Sequence, residues 1–76
     1  MASAYVFMNV EAGKVGKALT AVKALKGVKT AHAVAGPYDI IIFVSAESLE
    51  ALGQRVMIEV HNLPGIRSTV TAIAFD

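Results

Sequence analysis

Thr69 and Thr71 stand two positions apart in Ser68-Thr69-Val70-Thr71, the spacing at which two hydroxyls of one strand share a face and converge on a single polar group. Ordinary β propensity selects the same residues, so the pair supports a binding role and a purely structural one equally. Asp39 closes the turn Gly36-Pro37-Tyr38-Asp39; its carboxylate either bonds the turn's own backbone or faces outward as an anionic acceptor. Tyr38 offers a ring and a hydroxyl suited to a ligand or to packing at an interface, and Gly36 offers backbone freedom. Arg55 and Glu59, four residues apart on a helical stretch, make an exposed ion pair or reach into a cleft. His32 and His61 lack His-x-x-x-His spacing and there is no cysteine, so no metal site and no cofactor are expected. No titratable groups are paired at the spacing acid–base catalysis requires, and no catalytic residue is assigned.

The chain that must position these groups is short. Its 76 residues form one domain, 1–76, and a chain of this size buries only about 60% of the surface its unfolded form exposes. With disulfides excluded, subunit association is the remaining means of stabilisation. Composition agrees: 55% of residues are hydrophobic and 17% are charged, below the roughly 25% of ordinary soluble domains. No apolar run reaches the ~18 residues of a membrane span; the longest, Ile40 to Val44, is strand-sized. No signal-peptide pattern precedes the first strand, which points to a cytoplasmic protein without membrane contact. A net charge of +1, with Lys14, Lys17 and Lys23 as a solvated face, gives no reason to expect direct nucleic-acid binding.

Periodicity gives the element order. Ala4 to Val10 reads as a strand with faces Val6, Met8, Val10 and Tyr5, Phe7, Asn9. From Lys14 the spacing of Val15, Ala18, Leu19, Val22 and Leu25 is helical, ending at Gly27. Val28 to Ala35 alternates as a second strand whose alanines suggest close packing. The Gly36-Pro37 turn makes a hairpin with a third strand, Ile40 to Val44, apolar on both faces and therefore central. Ser45 or Ser48 caps a second helix carrying Leu49, Leu52, Val56, Val60 and Leu63, which ends before Pro64-Gly65. Ile66 to Phe75 is the last strand, with Thr69, Thr71, Ile73 and Phe75 on one face.

The resulting order, βαββαβ, is that of an α+β, ferredoxin-like domain: a four-stranded antiparallel sheet with two helices on one face. The opposite face would show Tyr5, Phe7, Ile41, Phe43, Ile73 and Phe75, a patch that a second copy would cover to give a dimeric α+β barrel. Met57 and Ile58, off the helical stripe, are expected to touch another subunit.

Three short motifs in sequence, Ala35-Gly36-Pro37-Tyr38-Asp39, Leu63-Pro64-Gly65-Ile66 and Thr69-Val70-Thr71, resemble the C-terminal effector-binding (RAM) domain of the Lrp/AsnC, or feast/famine, regulators. The likeness covers nearly the whole chain. With Met1 only a few residues before the first strand, it is similar to the stand-alone form that lacks the family's helix-turn-helix. The resemblance implies a homodimer assembling into an octamer or larger ring, an amino acid or related effector held between dimers, and a full-length regulator of the family as partner. It also implies ligand-binding roles for Gly36, Tyr38, Asp39, Thr69 and Thr71, with Asp39 receiving the ligand's ammonium group, and brings Arg55 and Glu59 in as selectors of its side chain.

Two other readings remain. Dimeric α+β barrels of this topology include small monooxygenases and isomerases with pockets between sheet and helices, for which His32, Tyr5 and Asn9 would be the residues of interest. A purely structural assembly domain would need no ligand.

Overall fold

In a computed structural model residues 1–75 are described, and they follow the expected order. The elements are β1 (Ala2–Val10), α1 (Val15–Lys23), β2 (Val28–Ala33), β3 (Ile40–Ala46), a second helix, α2, and β4 (Ile66–Ala74). α2 is continuous but not uniform: an α-helical turn, Leu49–Ala51, passes into a π-helical turn, Leu52–Val56, and then into an α-helical segment, Met57–His61. All strand pairings are antiparallel in the order β2-β3-β1-β4, so β3 is interior as expected.

The core lies between one sheet face and the helices. Ala4, Val6, Met8 and Val10 of β1 and Ile40, Ile42 and Val44 of β3 meet Ala18 and Val22 of α1 and Leu52, Val56 and Val60 of α2. No aromatic ring belongs to this core. Fully burying an aliphatic side chain contributes about 1.5–3 kcal/mol, and Met8, Ile40, Ile42 and Leu52 are its largest members. The π turn has a geometric cause. At 3.6 residues per turn, the eight residue-to-residue steps from Leu52 to Val60 overrun two turns by roughly 80°. Widening one turn, with the Met57 amide donating to the Leu52 carbonyl five residues back, absorbs the excess and keeps Leu52, Val56 and Val60 in line. Leu49 drops off that line and is 56% exposed, against expectation. Ser48, not Ser45, is the cap: its Oγ accepts from the Ala51 amide at 3.1 Å. Ser45 belongs to β3.

Both edge strands begin the same way. Leu25-Lys26-Gly27-Val28-Lys29-Thr30 follows α1 and Leu63-Pro64-Gly65-Ile66-Arg67-Ser68 follows α2, with Gly27 and Gly65 at φ 97° and 87°. In each strand the register slips by one residue immediately afterwards, leaving Lys29 and Arg67 without a partner. A bulge carrying a cation is a known protection for an exposed sheet edge. The slip also turns Val28 and Ile66 toward the core, so the simple alternation expected for β2 fails at its first residue. Of the β2 alanines only Ala31 is buried.

The face away from the helices is fixed by register. Tyr5 lies opposite Phe43 and Ala72, Phe7 opposite Ile41 and Val70, and Asn9 opposite Ser68. Two of the expected members do not belong there. Ile73 pairs with Ala4, a core residue, and therefore sits on the helix side, while Phe75 lies past the end of β4 and is 96% exposed. Val70, half exposed, takes their place. Met57, expected at a subunit contact, packs against its own core; Ile58 is exposed.

Candidate ligand-binding sites at the two ends of the sheet

The hairpin end is built around Asp39. Its Oδ2 accepts from the Val10 amide at 2.8 Å, its own amide donates to the Met8 carbonyl at 2.9 Å, and its carbonyl accepts from the Val34 amide at 2.9 Å. The carboxylate therefore latches the β2–β3 turn to the end of β1 rather than closing the turn on itself. A carboxylate has about four lone-pair sites, and this latch uses one. Gly36, at φ 147°, occupies backbone space that side chains disfavour, and nothing lies within 4 Å of where a Cβ would stand. Tyr38 lays its ring against Phe7, centroids 5.3 Å apart, which puts it on the face away from the helices.

Thr69 and Thr71 are at the same end and middle of the sheet but on its other side. They pair with Met8 and Val6, whose side chains are in the core. Thr69 Oγ1 shares a 2.8 Å hydrogen bond with His61 Nε2, tying the end of α2 to β4, and Thr71 is exposed. Within one chain the sheet separates the Tyr38 ring from the two threonine hydroxyls.

Arg55 and Glu59 are elsewhere again. They line a cleft of about 350 Å³ at the opposite end of the sheet, where β3 leaves for α2 and α1 hands over to β2. The seven residues of β3 place this cleft on the order of 20 Å from the hairpin turn. Lys26, Lys29 and Glu47 share its rim, with Ser45 and Val56 deeper in. The expected Arg55–Glu59 ion pair is not formed; among the described residues the one salt bridge joins Lys14 to Glu11 at 3.4 Å. Sequence reasoning missed Lys26, Lys29, Ser45 and Glu47 because each had a local explanation as a helix-end charge, a strand residue or a cap. The four-residue spacing of Leu52, Val56 and Val60 was the available signal that α2 is irregular here.

The residues of the enzymatic reading do not form a pocket beneath the helices. Tyr5 packs its ring on Phe43, Asn9 Nδ2 donates to Ser68 Oγ at 3.3 Å, and His32 is paired opposite Ile41, all on the far face. Among the described residues no three His, Cys, Asp or Glu side chains gather as metal ligands would. No helix among them is long and apolar enough to cross a membrane.

A βαββαβ sheet with a bare aromatic face and polar groups at both ends defines an open-faced, ferredoxin-like ligand-binding domain. The chain belongs to the Lrp/AsnC ligand binding domain family, whose profile matches residues 3–76. It is 33% identical over 52 residues to an uncharacterised HTH-type transcriptional regulator of Pyrococcus abyssi, covering 68% of this chain and 35% of the relative. An uncharacterised HTH-type transcriptional regulator of Pyrococcus furiosus is 35% identical over 51 residues, 67% of this chain and 34% of the relative. The chain thus spans about a third of the length of these curated relatives. Among solved structures, FFRP-DM1 superposes with a TM-score of 0.92 at 33% identity, covering 99% of this chain and 100% of that one. Escherichia coli AsnC gives 0.89 at 25% identity over 99% of this chain and 51% of that one. The family and these relatives are transcriptional regulators, not enzymes.

Proposed function

We propose that this domain senses an amino acid or a related metabolite, and does so as an oligomer in the cytoplasm, modulating transcription through its assembly or by joining a full-length Lrp/AsnC regulator. One observation carries the reading. Four of the chain's five aromatic residues, Tyr5, Phe7, Tyr38 and Phe43, gather on the sheet face that no helix covers, whereas the core holds none. An exposed apolar face of this kind marks an interaction surface, and a second copy covers it with matching chemistry. The homodimer is then a closed α+β barrel, and dimers associate further into an octamer or larger ring.

The ligand sits between copies. Tyr38 and Asp39 of one chain and Thr69 and Thr71 of another supply what neither chain assembles alone. The free lone pairs of Asp39 receive the ammonium group, Gly36 lets backbone amides approach the carboxylate, and the threonine hydroxyls complete the polar shell.

A thermal-shift screen with the twenty amino acids tests this. A ligand that binds only the folded state stabilises it by ~2.7 kcal/mol at a hundredfold excess over Kd, a rise of several degrees for a domain of this size. A rise with one or a few related amino acids is expected; no rise with any of them contradicts the reading.

A further inference from the structure

The net charge of +1 gives no reason to expect a polyanionic partner, but it conceals an uneven distribution. All five lysines, Lys14, Lys17, Lys23, Lys26 and Lys29, fall within residues 14–29, and no aspartate or glutamate interrupts them. The fold turns this stretch of sequence into one surface. α1 buries Ala18 and Val22 and leaves every lysine exposed. At 3.6 residues per turn, Lys17 and Lys23, each three positions from Thr20, stand about 60° to either side of it on the outer face of the helix. Thr20 turns its hydroxyl down onto the Gly16 carbonyl at 3.1 Å, which keeps the ridge between the two cations low.

The array continues past the helix. Lys23 and Lys29 line one hollow beside the open edge of β2, and Lys29 and Lys26 line the cleft where α1 hands over to β2. Counter-charges are few. Glu11 pairs with Lys14 at 3.4 Å, and Glu47 and Glu59 share the cleft of Lys26, Lys29 and Arg55 without forming a salt bridge. Among the described residues Lys17 and Lys23 have no ion-pair partner at all. Like charges gathered on one face repel in the free domain and are stabilised by a polyanion laid across them.

We propose that the outer face of α1 and the adjoining edge of β2 dock on the phosphate backbone of duplex DNA. From Lys14 to Lys23 the helix axis runs ~14 Å, a length over which a duplex presents about eight phosphate charges. Even an unbroken acidic strand offers only one charge per ~3.3 Å, about half that density, so the duplex is the better match. Residues 14–29 contain no Arg, Asn or Gln to read base edges and no aromatic ring to stack on unpaired bases, so the contact is with phosphates and independent of sequence. The choice of DNA rests on the transcriptional role proposed above. The surface itself lies outside the amino-acid site, so either can fail alone.

Fluorescence anisotropy of the intact chain with a labelled duplex of about 30 base pairs tests the proposal. Micromolar binding at about 50 mM salt that weakens at least tenfold by about 200 mM is expected, with unrelated duplexes bound equally. Lys17→Gln with Lys23→Gln weakens binding at least tenfold and lowers the salt slope by about 1.8 or more. Lys17→Arg with Lys23→Arg keeps it, and Arg67→Gln, at the opposite edge of the sheet, leaves it within about twofold. All three positions are exposed, and an unchanged circular-dichroism spectrum shows that the variants are folded. Absence of binding even at about 20 mM salt, or binding unaffected by the glutamine pair, overturns the proposal. Displacement of the duplex by poly-L-glutamate at equal charge concentration also overturns it, in favour of an acidic protein partner.

Discussion

The Asp39 carboxylate receives the Val10 amide hydrogen at 2.8 Å across 29 positions of chain, so one side chain joins the β2–β3 turn to the end of β1. A hydrogen bond to a charged group contributes about 1.5–3 kcal/mol. Asp39→Ala is expected to lower unfolding stability by that order, and Asp39→Asn, which keeps an acceptor oxygen, by about half. Urea denaturation measures both; an unchanged midpoint for Asp39→Ala would show that the latch is not formed. Any loss of ligand in the alanine variant therefore has to be compared with the asparagine variant.

Gly27 and Gly16 should respond in opposite directions to the same substitution. Gly27→Ala forces a Cβ against Val56 at positive φ and is expected to cost about 1–3 kcal/mol. Gly16, early in α1 with nothing within 4 Å, should gain up to about 1 kcal/mol as alanine. Thermal unfolding of the two variants checks the pair.

Thr69 and His61 form a second tie, between β4 and the end of α2. Thr69→Val is expected to cost about 0.5–1.5 kcal/mol, and a double-mutant cycle with His61→Ala should return a coupling energy of similar size. Additive effects would mean that the hydrogen bond contributes nothing in solution.

Tyr5 stacks on Phe43 in the middle of the bare face and is itself 47% exposed. Tyr5→Lys leaves the core untouched but places an ammonium group where a second copy docks. Burying it unpaired costs more than ~1.4 kcal/mol, so the dimer dissociation constant should rise by about tenfold or more while the circular-dichroism spectrum stays the same.

The parts of the fold that depend on a single segment were legible in the sequence. The stripe Val15, Ala18, Leu19, Val22 and Leu25 packs against or within the core as its period requires, and Thr69 and Thr71 do share a face. What depends on two segments was not. Ile73 was expected beside Tyr5, but which face of β4 joins which face of β1 is set by pairing register, and a one-residue slip reverses it. The bulges at Lys29 and Arg67 are such slips. The candidate site divided for the same reason: Arg55 and Glu59 carry the right chemistry at helical spacing, yet β3 puts its whole length between them and Asp39. Only the three-dimensional course of the chain shows that, within one chain, these residues lie at opposite ends of the sheet.

Sedimentation velocity of the wild-type chain at micromolar concentration tests most directly whether the aromatic face is an interface. A dimer or a larger assembly, shifted toward monomer by Tyr5→Lys, is the expected result. A wild-type monomer would leave Tyr5, Phe7 and Phe43 in water and would remove the intersubunit ligand site with them.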